Sequence, residues 1–359
     1  MIPHWKIKRE MQRLGQQLRA LPEAIWEPLA GYLHNRRVAA GLPTTQGNQA
    51  LQSKVAMVLI YQPAGLAESL LRLCRHLAGS GYAVLAVSNA PLSQKDRIRL
   101  AGEVWRIIER PNFGYDFGGY RDGWLHLVNI KVQPQRLVIV NDSIWFPLSD
   151  IDDTLNQMET AAYDITGTIL RERGAERFLE SYLYSIGPGA LAHPAFRAFW
   201  QNYRLTSNKY KVIRRGERGF GQAMRAAGLT LGGLYPPAEF QRRIATAPEA
   251  VLRQVLAYTA SADQPFVSEA RALSRLQGAG WVESARSFIA KALNQGQFYS
   301  LFPVGAVQLM GYPVMKKSQE PVSAEWRAAY LAAVMDGILP APPPPLLTEM
   351  MAATRRVVE

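Results

Sequence analysis

Short apolar runs alternate with helical patterns between residues 54 and 143 of the chain. Four runs rich in Val, Ile, Leu and Ala are typical of strands buried on both faces of a sheet: KVAMVLIY (54–61), YAVLAVSN (82–89), VWRIIER (104–110) and RLVIVNDS (136–143). LAESLLRLCRHLAGSG (66–81) repeats apolar residues at helical spacing and ends on glycine. This alternation predicts an α/β fold with a mostly parallel sheet flanked by helices.

The remaining pattern predicts a second, mostly helical part. YDITGTIL (163–170) is typical of a fifth strand and HPAFRAFWQNYRL (193–205) of a helix, whereas ERFLESYLYSIGPGAL (176–191) fits either a helix or a strand entering a turn. PAPPPPLL (340–347) predicts a polyproline II spacer or surface arm. We expect a basic helical segment at 1–50, an α/β domain at 51–240, a helical region at 241–339 and a Pro-rich tail at 340–359.

Composition narrows the class of protein. Of the 359 residues, 48% are apolar and 19% charged, as in a folded chain of about two domains. The single cysteine, Cys74, excludes an intramolecular disulfide and fits a reducing compartment. No apolar run approaches the ~18 residues that span a bilayer, and no apolar stretch follows the N-terminal charges as in a signal peptide. We therefore expect a cytoplasmic protein.

The net charge of +12 favours polyanionic partners. Much of the N-terminal charge falls in one predicted helix with apolar residues between the cations, which are Lys6, Lys8, Arg9, Arg13 and Arg19. Such a helix either lies on an anionic membrane surface or packs on its own domain with a solvated basic face. Nucleic-acid binding rests on charge alone, since no recognition motif is visible, and we expect no nucleic-acid partner.

Polar side chains follow the ends of several predicted strands. Tyr61 ends the first strand, Ser88 and Asn89 the second, and Asn141, Asp142 and Ser143 the fourth, while the stretch PNFGYDFGGYRDGW (111–124) follows the third. Ligands of open α/β sheets bind at the carboxyl ends of the strands. The sequence therefore predicts a binding site at this edge.

Asp142 is the acid at the tip of a buried strand. Burial disfavours its charge unless a partner compensates, and a divalent cation such as Mg²⁺ or Mn²⁺, shared with substrate phosphates, is one such partner. The alternative is an Asp that closes a turn or caps the next helix.

The glycine-rich stretch lacks the spacing of both the dinucleotide fingerprint and the P-loop. Its backbone can still approach a phosphate or sugar closely, with Asp116 bonding hydroxyls and Arg121 neutralising phosphate. The alternative is a tight strand-to-helix turn in which Asp116 is the N-cap. Lys316 and Lys317 either meet a pyrophosphate or form solvated surface. No H-E-x-x-H or paired C-x-x-C occurs, so we expect no zinc site.

RPNFGYDFGGYRDG followed by VIVNDSIWFPL closely resembles the rhamnan-synthesis F family of bacterial polysaccharide glycosyltransferases, which joins N-x-G-x-D-x-G to N-D-S-x-x-x-P-L. ESYLYSIGPGAL, AFRAFW, KVIRRGERGFGQAMRAAGL and GYPVMKKS extend the resemblance, which runs from about residue 54 to 318. It implies a GT-A-like (Rossmann-like) fold and a nucleotide-sugar-dependent transferase of O-antigen (lipopolysaccharide), capsule or rhamnan assembly.

The resemblance also implies roles for individual residues. Asp142 inherits the metal and diphosphate role of the strand-end acid, although the second motif carries only one acid here. Glu180, Ser181 and Tyr182 fall on the acceptor side, where Phe178 and Glu180 replace the usual His and Gln and imply a changed acceptor. The residues expected to bind the donor are Tyr61, Ser88, Asn89, Asn112, Gly114, Asp116, Gly118, Arg121, Asn141 and Ser143.

Glycosyl transfer needs a base for the acceptor hydroxyl and stabilisation of the departing diphosphate. Glu217, which lies among arginines in VIRRGERGF, suits a base or a structural ion pair, and we take it and Asp142 as the catalytic residues, with Arg121, Arg214 and Arg215 as cations. We predict transfer of a sugar, rhamnose first, from dTDP-rhamnose or a similar donor to a lipid-linked oligosaccharide at the inner face of the cytoplasmic membrane. The alternative is a non-catalytic carbohydrate- or nucleotide-binding scaffold.

Overall fold

One large sheet with helices on both faces organises the chain. The computed structural model describes residues 21–174 and 176–358. In chain order its strands are β1 Thr44–Gln46, β2 Lys54–Ile60, β3 Tyr82–Ser88, β4 Arg106–Glu109, β5 Arg136–Asn141, β6 Ile144–Trp145, β7 Ile165–Gly167, β8 Leu170–Arg173, β9 Glu176–Leu179, β10 Leu183–Ile186, β11 Leu231–Gly233 and β12 Met315–Lys316. Eight of them form the sheet, in the order β1-β4-β3-β2-β5-β10-β7-β11.

The helices cover both faces and the C-terminal part. They are α1 Leu21–Ala40, α2 Glu68–Gly79, α3 Gln94–Ala101, α4 Tyr115–Asn129, α5 Thr154–Thr160, α6 Pro188–Ala192, α7 Pro194–Asn202, α8 Lys209–Val212, α9 Gly219–Ala226, α10 Pro237–Thr246, α11 Glu249–Ala257, α12 Gln264–Arg275, α13 Trp281–Ala292, α14 Phe298–Leu301, α15 Pro303–Met310, α16 Pro321–Met335 and α17 Pro344–Val358. A π-helical segment, Ile213–Arg218, joins α8 to α9. None of the described helices is both long and apolar enough to cross a membrane.

The pairing confirms a mostly parallel α/β sheet. Strands β3, β4 and β5 extend the sheet from β2 in parallel, and β11 is parallel to β7. The five strands predicted from apolar runs all form, and the ambiguous segment 176–191 contains strands β9 and β10. Strand β10 lies antiparallel between β5 and β7, so its first residues meet the end of β5. That reversal adds residues 180–182 to the sheet edge predicted to bind a ligand.

The prediction of an extended proline-rich arm is wrong from residue 344 onward. Pro344 begins α17, because proline is well suited to the first turn of a helix. Leu346 and Met350, one helical turn apart, are buried, and the Glu349 carboxylate accepts hydrogen bonds from Ser69 and from Trp145 Nε1 at 2.9 Å. The C-terminal helix is therefore packed on the α/β part.

Each face of the sheet has its own apolar core. Val55, Met57 and Leu59 of β2 point to the face covered by α4, α7 and α9. The alternate residues Val58 and Ile60 point to the face covered by α2 and by the C-terminal helices. This alternation gives β2 apolar neighbours on both sides, as its unbroken apolar run predicts.

Helix α1 is joined to the first face by buried charges. His34 Nε2 lies 2.7 Å from Asp122 Oδ2 in α4, and the Arg110 Nε donates to the same oxygen at 2.6 Å. Burial alone would raise the pKa of Asp122, but the hydrogen bond from His34 and the charge of Arg110 outweigh it and hold that pKa below its usual value. The basic helix predicted around residues 6–19 lies outside the described residues.

Removing the charge of Asp122 is expected to destabilise the fold. Asp122→Asn leaves the fully buried Arg110 guanidinium without its counter-charge, which should lower the free energy of unfolding by about 3–5 kcal/mol in urea denaturation. The control is Glu249→Gln, which breaks the Glu249–Arg253 pair on the surface of α11 and should cost about 0.5 kcal/mol. Equal, small losses in both variants would contradict this role of Asp122.

Candidate functional site

The carboxyl ends of β2 and β5 and the start of β10 meet at one edge. Leu59 is the register partner of Asn141, and the Asp142 N–H donates to Leu59 O at 3.0 Å. The Asn141 N–H donates to Tyr182 O at 3.1 Å across the antiparallel pair. The structure thus brings the N-D-S motif to the end of β2, as the sequence predicts, and adds the segment before β10 to this edge.

Two carboxyl groups are the centre of this edge. Asp116 Oδ2 accepts a hydrogen bond from Asn141 Nδ2 at 3.2 Å, and Asp142 Oδ2 accepts one from the Tyr61 N–H at 2.8 Å. Burial, and next the negative charge of Asp142, raise the pKa of Asp116 to about 6. Burial also raises the pKa of Asp142, against the Tyr61 N–H and the positive charge of Lys317. Both carboxylates are poorly compensated by the protein, which favours a cationic ligand between them.

Close packing by glycine puts Asp116 at this edge. A Cβ on Gly118 would lie 2.3 Å from Phe113 O, and one on Gly119 would lie 2.1 Å from Leu59 Cδ1. Helix α4 therefore starts directly against β2, with Asp116 in its first turn. Gly114, at φ +88°, is the N-cap residue, so the alternative that Asp116 caps the helix is wrong. The density of glycine reflects this contact between helix and strand.

Tyr115 is a site residue that the sequence analysis did not single out. Its φ of +49° is left-handed, a conformation that costs a bulky residue about 1–3 kcal/mol. Tyr115 is 41% exposed next to Asp116, and Tyr61, whose N–H donates to Asp142, is 53% exposed. The signal available in the sequence was an aromatic residue between Gly114 and Asp116, and only the backbone conformation distinguishes it.

Arg110 holds the glycine-rich turn from inside the protein. Its guanidinium donates to Asn89 Oδ1 and to Phe113 O, besides Asp122. Asn89 in turn donates from Nδ2 to Tyr115 O at 3.5 Å. Asn89 is buried and therefore positions the turn. The prediction that it lines the donor pocket does not fit this burial.

Glu217 enters the site from the π-helical segment. The wider π turn seats Gly216 against the Phe117 ring, where a Cβ would lie 2.5 Å from Cγ. The Ser181 N–H donates to the Glu217 carboxylate, while burial and then the charge of Glu180 raise the pKa of Glu217 to about 7. Glu217 and Asp116 both lie close enough to the buried Tyr184 hydroxyl to raise its pKa further after burial. The two carboxyl groups therefore both lie near the Tyr184 hydroxyl.

Glu180 has the opposite environment. Burial alone would raise its pKa, but Lys316 Nζ at 3.1 Å, Arg171 and the Tyr299 hydroxyl at 2.7 Å hold the pKa below its usual value. Glu180 is thus ionised and ion-paired with Arg171 and Lys316, whereas Glu217 readily holds a proton. Of the two acids on the predicted acceptor side, only Glu217 has the electrostatics of a proton acceptor near neutral pH.

Two adjacent lysines come to the site from the C-terminal region. Strand β12 pairs with β6, and the Lys317 N–H donates to Ser143 O at 2.7 Å. The Lys317 side chain is 20% exposed, and its Nζ donates to Ser69 Oγ at 2.8 Å. Burial lowers the pKa of Lys317, while Glu349 and Asp142 oppose that shift. The interpretation of these lysines as solvated surface is wrong, and the charge of Lys317, which is paired with Glu349, lies close enough to Asp142 to lower its pKa.

Two residues predicted to bind the donor make their hydrogen bonds elsewhere. Arg121 is buried and bonds Asp122 Oδ1 at 3.2 Å and Asn35 Oδ1 at 2.9 Å, on the side of α4 that faces α1. Ser88 is fully buried and its Oγ donates to Ala90 O at 2.6 Å. Neither side chain reaches the carboxyl pair, so the roles predicted for them do not fit the structure.

Other predicted residues fall into two groups. The Tyr182 hydroxyl is buried in bonds with Tyr312 at 2.6 Å and Thr168 at 2.9 Å, and Arg215 pairs with Glu27 of α1. These two therefore support the fold around the site. Asn112, Ser143 and Arg214 are exposed.

The side chains at this edge suit a bound cation only if a substrate supplies further oxygen ligands. No group of three or more His, Cys, Asp or Glu able to hold a metal ion occurs within residues 21–174 and 176–358. Asp116 and Asp142 nevertheless supply two carboxylates, and Asn141 an amide beside them. Mg²⁺ and similar hard cations commonly bind one or two carboxylates and complete their shell with substrate phosphates and water. The residues fit such a shared site.

Comparison with known proteins gives a family and one curated relative. The model of the family "Rhamnan synthesis protein F" matches residues 84–255. The uncharacterized protein y4gN of Sinorhizobium fredii (strain NBRC 101917 / NGR234) is 35% identical over 266 residues, 73% of this chain and 69% of its own. Among solved structures, the mannosyltransferase PcManGT of Pyrobaculum calidifontis, in complex with GDP-Man and Mn²⁺, aligns over 95% of this chain and 97% of its own. Its TM-score is 0.32 and its identity 11%, which are too low to show a shared fold. The family match and the relative show that the chain belongs to the rhamnan synthesis protein F family.

Proposed function

We propose that the chain is a GT-A-like glycosyltransferase that moves a sugar, rhamnose first, from a nucleotide sugar to a lipid-linked bacterial polysaccharide such as O-antigen, capsule or rhamnan. Family membership supports a role in polysaccharide synthesis. The observation that carries the proposal is the pair of half-buried, poorly compensated carboxyl groups of Asp116 and Asp142 at the carboxyl end of the sheet, with Glu217 and Asp116 both near the Tyr184 hydroxyl.

The donor diphosphate is the ligand that suits the carboxyl pair and its cations. Asp116 and Asp142 would hold Mg²⁺ or Mn²⁺ together with diphosphate oxygens, and the ion would neutralise charge on the departing diphosphate. The charge of Lys209 opposes the raised pKa of Asp116, and that of Lys317 opposes the raised pKa of Asp142. Both lysines therefore lie close enough to interact with the same anion. The exposed ring of Tyr115 is suited to stack on the base or sugar.

Glu217 is the base in this proposal. Its carboxylate takes the proton from the acceptor hydroxyl as the acceptor oxygen bonds the anomeric carbon of the donor. The bond from that carbon to the diphosphate oxygen breaks, and the electron pair leaves with the diphosphate. A pKa of about 7 matches this task, because a base is most useful when its pKa lies near the working pH. Glu180 positions Lys316 nearby and stays ionised throughout.

A thermal-shift screen tests donor binding. We expect one nucleotide among dTDP-, UDP- and GDP-sugars to raise the melting temperature, more strongly with Mg²⁺ or Mn²⁺ than without. Asp142→Asn should abolish that shift and the transfer of sugar, while the exposed control Asp150→Asn keeps both. Binding without turnover in the native protein would favour the scaffold alternative, and an unchanged shift in Asp142→Asn would contradict the site.

Substitutions at Tyr115 separate backbone strain from ligand binding. Glycine adopts left-handed φ without steric cost, so Tyr115→Gly should keep or raise the melting temperature while weakening donor binding about tenfold or more through loss of the ring. Lys131→Gly, at a second left-handed non-glycine residue, should raise the melting temperature by about 2–4 °C with no effect on binding. Tyr115→Phe should bind normally. Normal binding by Tyr115→Gly would exclude the stacking role.

The pH dependence of transfer tests Glu217. The base must be ionised, so kcat/KM should fall about tenfold per pH unit below a pKa of about 7. Glu217→Gln should lower kcat by about 10²–10⁴ and remove this acid limb, whereas Glu176→Gln, an exposed acid of β9, should change neither. An acid limb that persists in Glu217→Gln would assign the titration to another group.

A further inference from the structure

Between residues 26 and 34, helix α1 carries its charged and histidine side chains inward and its large apolar side chains outward. Glu27 and His34 are buried at 8% and 5% exposure, where they pair with Lys211, Arg215 and Asp122. The outward side chains are Trp26, Leu29, Tyr32 and Leu33, which are 64%, 46%, 58% and 55% exposed. A surface helix of a globular protein normally has the reverse arrangement. These four residues are called the outer face of α1 below.

The outer face is one continuous patch. Residues 26, 29 and 33 follow the i, i+3, i+7 spacing of a single helix stripe, and residue 32 lies beside it. Single exposed apolar residues are ordinary on protein surfaces, but a contiguous apolar patch marks a surface for docking. Trp and Tyr within it are the side chains that prefer the boundary between the headgroups and the acyl chains of a membrane.

Positive charge surrounds this patch. Among the described side chains at positions 26–40, the exposed charged ones are Arg36 and Arg37, since the acid Glu27 is buried and neutralised. The adjoining segment exposes Lys209 and Arg214. Residues 1–20 add five Lys or Arg and one Glu in sequence. An anionic surface complements these charges, whereas a second copy of the same face would bring like charges together.

We infer that the outer face of α1 docks on the surface of an anionic phospholipid bilayer. Its apolar side chains insert at the boundary of the headgroups, and the surrounding cations contact the lipid phosphates. The inference extends the proposed function by naming the membrane as a partner. Lys209 interacts with Asp116 and belongs to the helix that contacts α1 through Lys211, so docking would bring the site close to a lipid-linked acceptor.

Flotation with vesicles tests the inference on the full chain. The native protein should bind vesicles of phosphatidylglycerol and phosphatidylethanolamine and bind pure phosphatidylcholine weakly, with binding that falls as salt rises. The variant Trp26→Gln/Leu33→Gln should lower the partition coefficient about tenfold or more. The matched control is Ile98→Gln/Leu276→Gln, which changes two side chains of similar exposure elsewhere and should bind as the native protein does.

Three results would overturn the inference. The first is native protein that does not bind anionic vesicles, and the second is unchanged binding in Trp26→Gln/Leu33→Gln. The third is a lipid-free dimer that becomes monomeric in that variant, because the outer face would then be covered by a second copy. Flotation measures no turnover, so its outcome is separate from that of the nucleotide-sugar screen.

Discussion

The buried contact between Arg110 and Asp122 is the interaction on which the site depends. Asp122 belongs to α4, Arg110 follows β4, and His34 brings α1 to the same oxygen. The other Arg110 nitrogens bond Asn89 Oδ1 and Phe113 O, so one guanidinium connects the end of β3 with the glycine-rich turn. Breaking such a buried pair leaves an uncompensated charge, which makes the arrangement specific to one geometry. The position of the turn follows from this contact.

Close packing turns that geometry into a functional edge. Because Gly118 and Gly119 lack side chains, α4 begins against β2 and its first turn places Asp116 beside Asn141. Gly216 does the same for the π-helical segment, which approaches the ring of Phe117 and so brings Glu217 to the same region. Asp116 and Glu217 come from distant parts of the chain, yet both lie near the Tyr184 hydroxyl, and both follow a glycine contact.

The sequence predicted the sheet, but not which side chains lie at the edge proposed to bind a ligand. Apolar runs identified β2 to β5, because strands buried on both faces need apolar residues at every position. The assignment of Arg121 failed for a geometric reason. It lies five residues after Asp116 on the same helix, about 140° around the axis at 100° per residue, and so faces α1. That argument needs the start of the helix at Tyr115, which the glycine-rich sequence does not reveal.

Local sequence patterns do not predict contacts between segments that are far apart in the chain. Lys317 reaches Ser143 only through the pairing of β12 with β6, and Ser181 reaches Glu217 only because β10 runs antiparallel to β5. The prediction for the proline-rich tail was wrong because prolines suit both an extended arm and the first turn of a helix. The burial of Leu346 decides in favour of the helix.

Two sets of acids have opposite effects on stability as the pH changes. Because the pKa values of Asp122 and Glu180 are lowered in the folded protein, these acids stabilise the fold at a pH above their unfolded-state pKa. This stabilisation is lost as the pH falls through their folded-state pKa. Asp116 and Glu217 have pKa values raised from 3.8 to about 6 and from 4.5 to about 7, so the folded protein binds their protons more tightly. Their contribution is present at low pH and is lost as pH rises through those windows. Near neutral pH the paired acids Asp122 and Glu180 thus stabilise the fold, whereas ionisation of the unpaired acids Asp116 and Glu217 destabilises it. A cationic ligand at Asp116 would offset part of that cost, which links binding at this edge to the stability of the whole domain.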